Sequence, residues 1–389
     1  MKSTWWRVVK DLDVQQQEFV SLPHEGRYLL QGPPGSGKTN LLLLRAQYIA
    51  GTGDNNVLII TYTNDLADFI RTGISAKKII GGDQVQTFHS WAMRHVRTYL
   101  GSVPIDVAEG FDDEKRAVLA IALGDANKKL NSSKLYDAIF VDEAQDLSLA
   151  ELTHLLTLSD KVTVCGDRKQ GIYGQNGLDI ESTLGLTSYT LTAHYRIGQR
   201  IARVADRLIV PLKPADSLEA SSNYHAKSMG KSTAEMHACI SRDEQFERML
   251  DLLDVQLDAF NGELIGVLVG KSESLLELKK RFVASRHADK VIFHEGGKEA
   301  EGFSSSRPIH VMTIHRSKGA EFRAVHMFGA EDLKIYGLNN RELGYTAVTR
   351  AKTALNAFRT GPTNRPLESA FAEPQLISLA DILDGEASE

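Results

Sequence analysis

Only two cysteines, Cys165 and Cys239, occur in 389 residues. Neither a disulfide framework nor a metal site is implied by so few. Cys165 lies inside the apolar run Lys161-Val162-Thr163-Val164-Cys165-Gly166 and reads as a buried strand residue. Long hydrophobic runs are missing too, so no segment reads as a membrane-crossing helix and no membrane is expected among the partners. The N-terminus, Met1-Lys2-Ser3-Thr4-Trp5-Trp6-Arg7, lacks the apolar stretch of a secretory signal, and the expected location is cytoplasmic. Basic charge is not in excess either, because the formal net charge is −5. A uniformly basic nucleic-acid coat is thereby excluded, whereas a local groove for phosphates is not.

What is present is an alternation. Short apolar runs such as Val57-Leu58-Ile59-Ile60, Ala138-Ile139-Phe140-Val141 and Val162-Thr163-Val164 alternate with longer helical patterns, the signature of parallel α/β layers. The cycle restarts after about residue 190, with further strands expected at Met236 to Ile240, Leu264 to Val269, Val291 to Phe293, His310 to Thr313 and Ala324 to Phe328. A chain of this length exceeds one ordinary core. The expectation is two α/β domains, 1–188 and 189–361, followed by an acidic tail, 362–389. The stretch from Pro211 to Lys231 is polar and broken by two prolines, which suits an exposed connection. The tail carries Leu376, Ile377, Leu379, Ile382 and Leu383 and reads either as a packed terminal helix or as a docking peptide.

The run Gly32-Pro33-Pro34-Gly35-Ser36-Gly37-Lys38-Thr39 sits between the apolar Tyr28-Leu29-Leu30 and a helical segment, Leu41 to Tyr48. A strand, a glycine loop and a helix N-terminus aim backbone N–H groups and the positive end of a helix dipole at one spot, which suits a polyphosphate. In such a P-loop Lys38 reaches the β- and γ-phosphates and the Thr39 hydroxyl holds Mg²⁺. Asp142 and Glu143 directly follow the strand Ile139-Phe140-Val141. Two acids at a strand end divide two tasks: Asp142 supports the Mg²⁺ through its water shell, and Glu143 orients or deprotonates the attacking water. A third segment, Gly166-Asp167-Arg168-Lys169-Gln170, again follows an apolar strand and offers Gln170, whose amide can donate to phosphate and accept from water. ATP and Mg²⁺ are the implied ligands.

Further blocks stand at Leu191-Thr192-Ala193-His194-Tyr195-Arg196, from Val311 to Phe322 and from Tyr345 to Lys352, with Leu12 to Gln16, Thr61-Tyr62-Thr63-Asn64 and Thr87-Phe88-His89-Ser90 upstream. In this order, and over nearly the whole chain, the blocks resemble the UvrD/Rep/PcrA group of superfamily 1 DNA helicases. The resemblance implies two RecA-like P-loop NTPase domains with parallel sheets, ATP in the cleft between them and single-stranded DNA across their tops. By the same resemblance Gln16 reads the adenine edge, Tyr195 stacks on the base and Glu321 approaches the ribose, while Gly32, Pro33, Gly35, Ser36, Gly37 and Asn40 line the nucleotide. Arg196 and Arg350, reaching across from the second domain, would neutralise charge that develops at the γ-phosphate. Tyr62, Thr63, Asn64, Phe88, His89, Tyr173 and His315 match positions on or beside the strand path, where aromatic faces hold bases and hydroxyls hold phosphates. As residue types, Phe88 and Tyr173 fit core packing as well. The implied activity is ATP hydrolysis to ADP and phosphate, coupled to 3′ to 5′ movement along DNA.

Three departures qualify the resemblance. After Ile172-Tyr173-Gly174 the group usually has tryptophan then arginine, and this chain has Gln175-Asn176, which implies a weaker or differently built stepping platform. Asn40 stands where an arginine often flanks adenine, which implies a looser hold on the base. The segments between Val96 and Ile139 and between Arg196 and Val311 leave little room for the group's two inserted subdomains. Two roles therefore remain open: a translocase or helicase that unwinds weakly alone, or an ATP-gated DNA sensor that licenses a partner such as a nuclease in DNA repair or phage defence. An RNA substrate is less favoured, since nothing identifies a reader of the 2′-hydroxyl.

Overall fold

The computed structural model describes residue 6, residues 8–74, 79–105, 112–132, 134–167, 183–295, residue 303, and residues 306–335 and 341–372. Among these the strands form two six-stranded sheets, parallel at every recorded pairing. The first contains β1 (Arg27–Gln31), β2 (Val57–Thr61), β3 (Val85–Thr87), β4 (Ala138–Val141), β5 (Lys161–Gly166) and β6 (Thr187–Thr190), in the spatial order β3-β2-β4-β5-β1-β6. Every residue of β2 and β4 is buried, as expected when helices cover both faces of a parallel sheet.

Alternate side chains of these strands enter different cores. Leu29, Leu58, Ile60, Ile139 and Val141 pack against α4 (Phe88–Leu100), α5 (Asp113–Asn127) and α6 (Leu149–Leu156). On the other face Leu30, Val57, Ile59, Phe140 and Cys165 meet α1 (Val14–Val20), α2 (Lys38–Gly51) and α3 (Asn64–Ile74). Local signals fix the helix starts. Asp13 and Gln16 form a capping box on α1, and Ser148 and Glu151 form another on α6.

The second sheet contains β7 (Thr233–Cys239), β8 (Ile265–Val269), β9 (Val291–Phe293), β10 (Ile309–Thr313), β11 (Phe322–Met327) and β12 (Ala351–Thr360), ordered β7-β12-β11-β8-β10-β9. One face packs on α7 (Gln199–Leu208), α11 (Arg341–Val348) and α12 (Arg365–Phe371). The other packs on α9 (Arg242–Ala259) and α10 (Ser272–Val283), while the short α8 (Ala226–Met229) has no buried residue. The α/β reading with two parallel-sheet domains therefore holds.

Its edges move. The boundary expected after residue 188 falls inside β6, which pairs with β1 and belongs to the first sheet. Leu367 and Ala370 of α12 are buried in the second core, so residues through 372 are part of that domain and not of a separate tail. Residues 373–389, with the apolar positions singled out in the tail, lie outside the described residues. The connection from Pro211 to Lys231 is more anchored than expected. Leu218 is buried, and the Asp206 carboxylate accepts from Ser217 Oγ at 2.7 Å, Leu218 N at 2.9 Å and Glu219 N at 3.0 Å.

Apart from Leu12 to Gln16, which lies before β1, the first-domain blocks leave the carboxyl ends of parallel strands, the edge where open α/β sheets bind ligands. The glycine loop follows β1, Asp142 follows β4, and Tyr62 and Phe88 follow β2 and β3. Since β1, β5 and β4 are neighbours, the phosphate loop and the acidic pair stand side by side, with the Tyr62 end next along the sheet.

Candidate active site

Gly35 and Gly37 have φ of +79° and +91°, in the left-handed region that only glycine enters at little cost. They fold the loop so that Gly37 caps α2 and Lys38 and Thr39 open its first turn. Lys38 Nζ donates to the loop carbonyls of Gly32 at 2.8 Å and Pro33 at 3.1 Å, so the ammonium is already held over the loop. Pro33 O also accepts from Ser36 N at 3.2 Å. Ser36 Oγ is buried and makes no hydrogen bond among the described residues.

Asp142 is 2% exposed. Its N–H donates to Ile60 O at 2.8 Å, which continues the β4–β2 ladder by one residue. Its Oδ1 accepts from Glu143 N at 3.0 Å and from the Cys165 thiol at 2.9 Å. Oδ2 is buried without a hydrogen bond among the described residues. Burial, followed by the neighbouring Glu143 charge, pushes the carboxyl up to about 6, while Cys165 and the nearby Thr39 hydroxyl pull it back. Glu143 has φ of +52°, the one non-glycine residue with positive φ among those described. Such a conformation is costly for glutamate and concentrates at functional sites. Gln145 holds it there: its Nε2 donates to Glu143 Oε2, and its Oε1 accepts from Asp167 N at 3.1 Å.

The second half of the chain closes over this edge. A Cβ added to Gly35 would lie 3.5 Å from Arg196 Cβ and 3.5 Å from Ile197 Cγ1, so the segment bearing Arg196 rests on the glycine loop. Arg196 forms a two-pronged ion pair with Glu321, which Lys352 approaches at 3.6 Å. Although partial burial opposes it, the cations hold Glu321 below the usual carboxylate range. Arg350 donates to Thr346 O and Ala320 O, both at 3.2 Å. Tyr195 donates its hydroxyl to Asp13, the cap of α1. The Gln16 amide is engaged with the protein. Nε2 donates to Ser36 O at 2.9 Å, and Oε1 accepts from Asp13 N at 3.3 Å. Gln16 and Tyr195 thus brace the loop and its flank.

On the neighbouring ends, Tyr62 meets Arg116 of α5, its hydroxyl 3.4 Å from Nη1 and its ring 5.7 Å from the guanidinium carbon. Arg116 also donates to Glu151 at 2.6 and 3.1 Å and to Asp146 O at 3.0 Å. Burial pushes the Tyr62 phenol up to about 12. His89 stacks edge-on against Tyr62, and burial lowers its imidazole to about 4. Thr63 Oγ1 accepts from Leu66 N at 3.3 Å, and the exposed Asn64 begins α3. His315 is half-buried beyond β10, its pKa lowered by burial and by Lys318. Phe88 corrects the sequence reading. At 1% exposure its ring packs in the first-domain core beside Trp91, where no base can stack on it. Gln170 and Tyr173 lie outside the described residues.

The donor set fits a Mg²⁺ shared with phosphates. Such an ion takes one or two carboxylate or hydroxyl ligands and keeps water and phosphate for the rest. Asp142 Oδ2, the adjoining Thr39 hydroxyl and the orphaned Ser36 Oγ are groups of that kind. Arg116, Gln145 and Cys165 were not singled out for this site by sequence reasoning. A buried arginine inside α5 looks like a surface charge until its partners, 35 and 54 positions away, are known.

Two family models match the chain. An AAA domain covers residues 16–176, and a UvrD-like helicase C-terminal domain covers residues 308–357. The ATP-dependent DNA helicase PcrA of Staphylococcus epidermidis is 24% identical over 331 aligned residues, covering 61% of this chain and 45% of the relative. That of Staphylococcus aureus is 22% identical over 332, covering 61% and 44%. The chain is thus similar to UvrD/PcrA-like helicases of superfamily 1. It spans about half the length of the curated UvrD/PcrA-like relatives it matches. Among solved structures, the C-terminal domain of a possible DNA helicase from Lactobacillus plantarum aligns at a TM-score of 0.34 with 16% identity, over 45% of this chain and 92% of that one.

Proposed function

We propose that the protein is a DNA-dependent ATPase that moves 3′ to 5′ along single-stranded DNA. Unwinding would be weak alone or supplied with a protein partner. The observation that carries this reading is the approach of Arg196 to the glycine loop, which joins a cationic second-domain segment to a first-domain phosphate site.

In this reading Lys38 leaves the carbonyls of Gly32 and Pro33 for the β- and γ-phosphates, and the N–H groups opening α2 hold the same oxygens. Thr39 and Asp142 would hold a Mg²⁺, which would offset negative charge on the phosphates. Glu143, fixed by Gln145, takes the proton of the water that attacks the γ-phosphorus. Arg196 exchanges Glu321 for the phosphate as the cleft tightens, and Arg350 stands on the same domain to assist. Tyr62, Thr63, Asn64, His89 and His315 line the strand path. Alternate grip by the two domains, tied to closure, turns hydrolysis into steps.

The test is steady-state ATP hydrolysis with Mg²⁺, with and without a single-stranded oligonucleotide, at low salt because phosphate contacts weaken as salt rises. Strong stimulation, lost in both Lys38→Ala and Glu143→Gln, is the expected result. Undiminished hydrolysis in both variants would remove this assignment. Nucleotide binding without stimulation would turn the reading to an ATP-gated switch.

A further inference from the structure

The inference deepens the proposed nucleotide site and rests on it. Asp142 must present one oxygen toward the metal while its other oxygen is held. A carboxylate at a strand end has a rotatable terminal torsion, broad and roughly two-fold, so something must choose its orientation. The backbone N–H of Glu143 reaches Oδ1, but it comes from the adjacent residue and turns with the same chain segment. The independent constraint is the Cys165 thiol, 2.9 Å from Oδ1.

Cys165 is well placed to act as a fixed donor. It is wholly buried on β5, one strand from the glycine loop on one side and from the acidic pair on the other. In register Leu30 of β1 stands opposite Cys165, and Val141 opposite Val164, so Asp142, the residue that follows β4, comes beside the thiol. Buried away from water, the sulfur is a neutral thiol. A thiol in that state gives its hydrogen to Oδ1. Oδ2, buried and without a hydrogen bond among the described residues, is left for a ligand, with the Thr39 hydroxyl near the same carboxyl.

We infer that Cys165 is a positioning residue for the metal. Its S–H···Oδ1 bond fixes the Asp142 carboxylate so that Oδ2 faces the Mg²⁺ held with Thr39. The sulfur itself ligates nothing and changes no oxidation state.

Three forms of the full chain separate this role from packing: the parent, Cys165→Ser, which keeps a donor, and Cys165→Val, which keeps apolar bulk and loses the donor. Mn²⁺ serves as the probe, its binding followed by electron paramagnetic resonance with a non-hydrolysable ATP analogue present. Analogue binding without metal, in excess chelator, is measured alongside. The expected result is Mn²⁺ half-saturation raised about tenfold in Cys165→Val, as for partners that orient metal-bound carboxylates. Cys165→Ser should stay close to the parent, and metal-free analogue binding should be equal in all three. Equal Mn²⁺ half-saturation in parent and Cys165→Val overturns the inference and leaves the nucleotide site standing. A parent that binds neither analogue nor Mn²⁺–analogue overturns the nucleotide site and the inference together. Should Cys165→Val not fold, Cys165→Ala carries the same comparison.

Discussion

Lys318, at the end of the short helical turn after β10, forms a fully buried ion pair with Asp146, at the end of the acidic motif after β4; each side chain is 1% exposed. The pair joins the second domain to the first. Burial pushes the Asp146 carboxyl up to about 7 against the pull of Lys318, so neither charge is comfortable without the other. Next to it, a Cβ on Gly319 would come 2.6 Å from Leu66 Cδ1, which shows how tightly the two domains meet there.

Removing one partner of such a pair strands a buried charge. Lys318→Met is expected to lower the unfolding free energy by about 3–5 kcal/mol, and the double variant Lys318→Met with Asp146→Leu to recover most of that loss. Urea denaturation of the single and double variants measures both. A double variant no more stable than the single one would place the effect in packing and not in charge.

Arg116 makes the same kind of contact inside the first domain. Arg116→Met leaves Glu151 buried without its cation and Asp146 O without a donor, so a loss of similar size, about 3–5 kcal/mol, is expected. It also frees the Tyr62 ring and hydroxyl from the guanidinium. If Tyr62 grips the strand, the ratio of DNA-stimulated to basal hydrolysis should fall further in Arg116→Met than in a control variant of equal stability.

Arg196 tests the transition-state role. Arg196→Ala should lower kcat by about 10³-fold or more with a smaller change in KM, since a cation that acts mainly on developing charge contributes little to ground-state binding. Arg196→Lys should recover little, because a point charge lacks the planar fork that the Glu321 pairing displays. Rapid-quench hydrolysis under single-turnover conditions reads this directly.

His326 sets a pH limit. It is buried on β11, its Nε2 2.7 Å from Gln256 Oε1, and burial lowers its pKa from 6.5 to about 3. The unfolded chain therefore takes up a proton at this position before the folded chain does. The contribution is whole above pH 6.5 and is lost as pH falls from there toward 3, at up to about 1.4 kcal/mol per pH unit. Urea midpoints at pH 7.5, 6 and 5 should decline less steeply for His326→Gln than for the parent. Parallel declines would assign the acid sensitivity to other groups.

The central strands were legible because both of their faces are covered, and β2, β4 and β8 read as unbroken apolar runs. β6 was not, since Thr187–Thr190 is an edge strand with exposed positions and no apolar run. β12 was hidden by its alanines and polar residues, although seven of its ten residues are buried. In the site, residue types in strand–loop–helix context located the loop and the acids. What they could not supply was how side chains are already engaged: Gln16 on Ser36, Arg196 on Glu321, and Cys165 on Asp142. Such pairings join positions far apart in the chain. Phe88 shows the opposite error, because a position matched to the strand path by resemblance proves to close a core.

The position of β4 between β2 and β5 has a mechanical meaning. The peptide that leaves it, Asp142 to Leu147, abuts the phosphate end on one side and, through the Asp146 carbonyl and Arg116, the Tyr62 end on the other. These ends are separated by strand spacings of about 4.8 Å each, so one short peptide touches both. Any shift of that peptide is felt at two neighbouring strand ends at once.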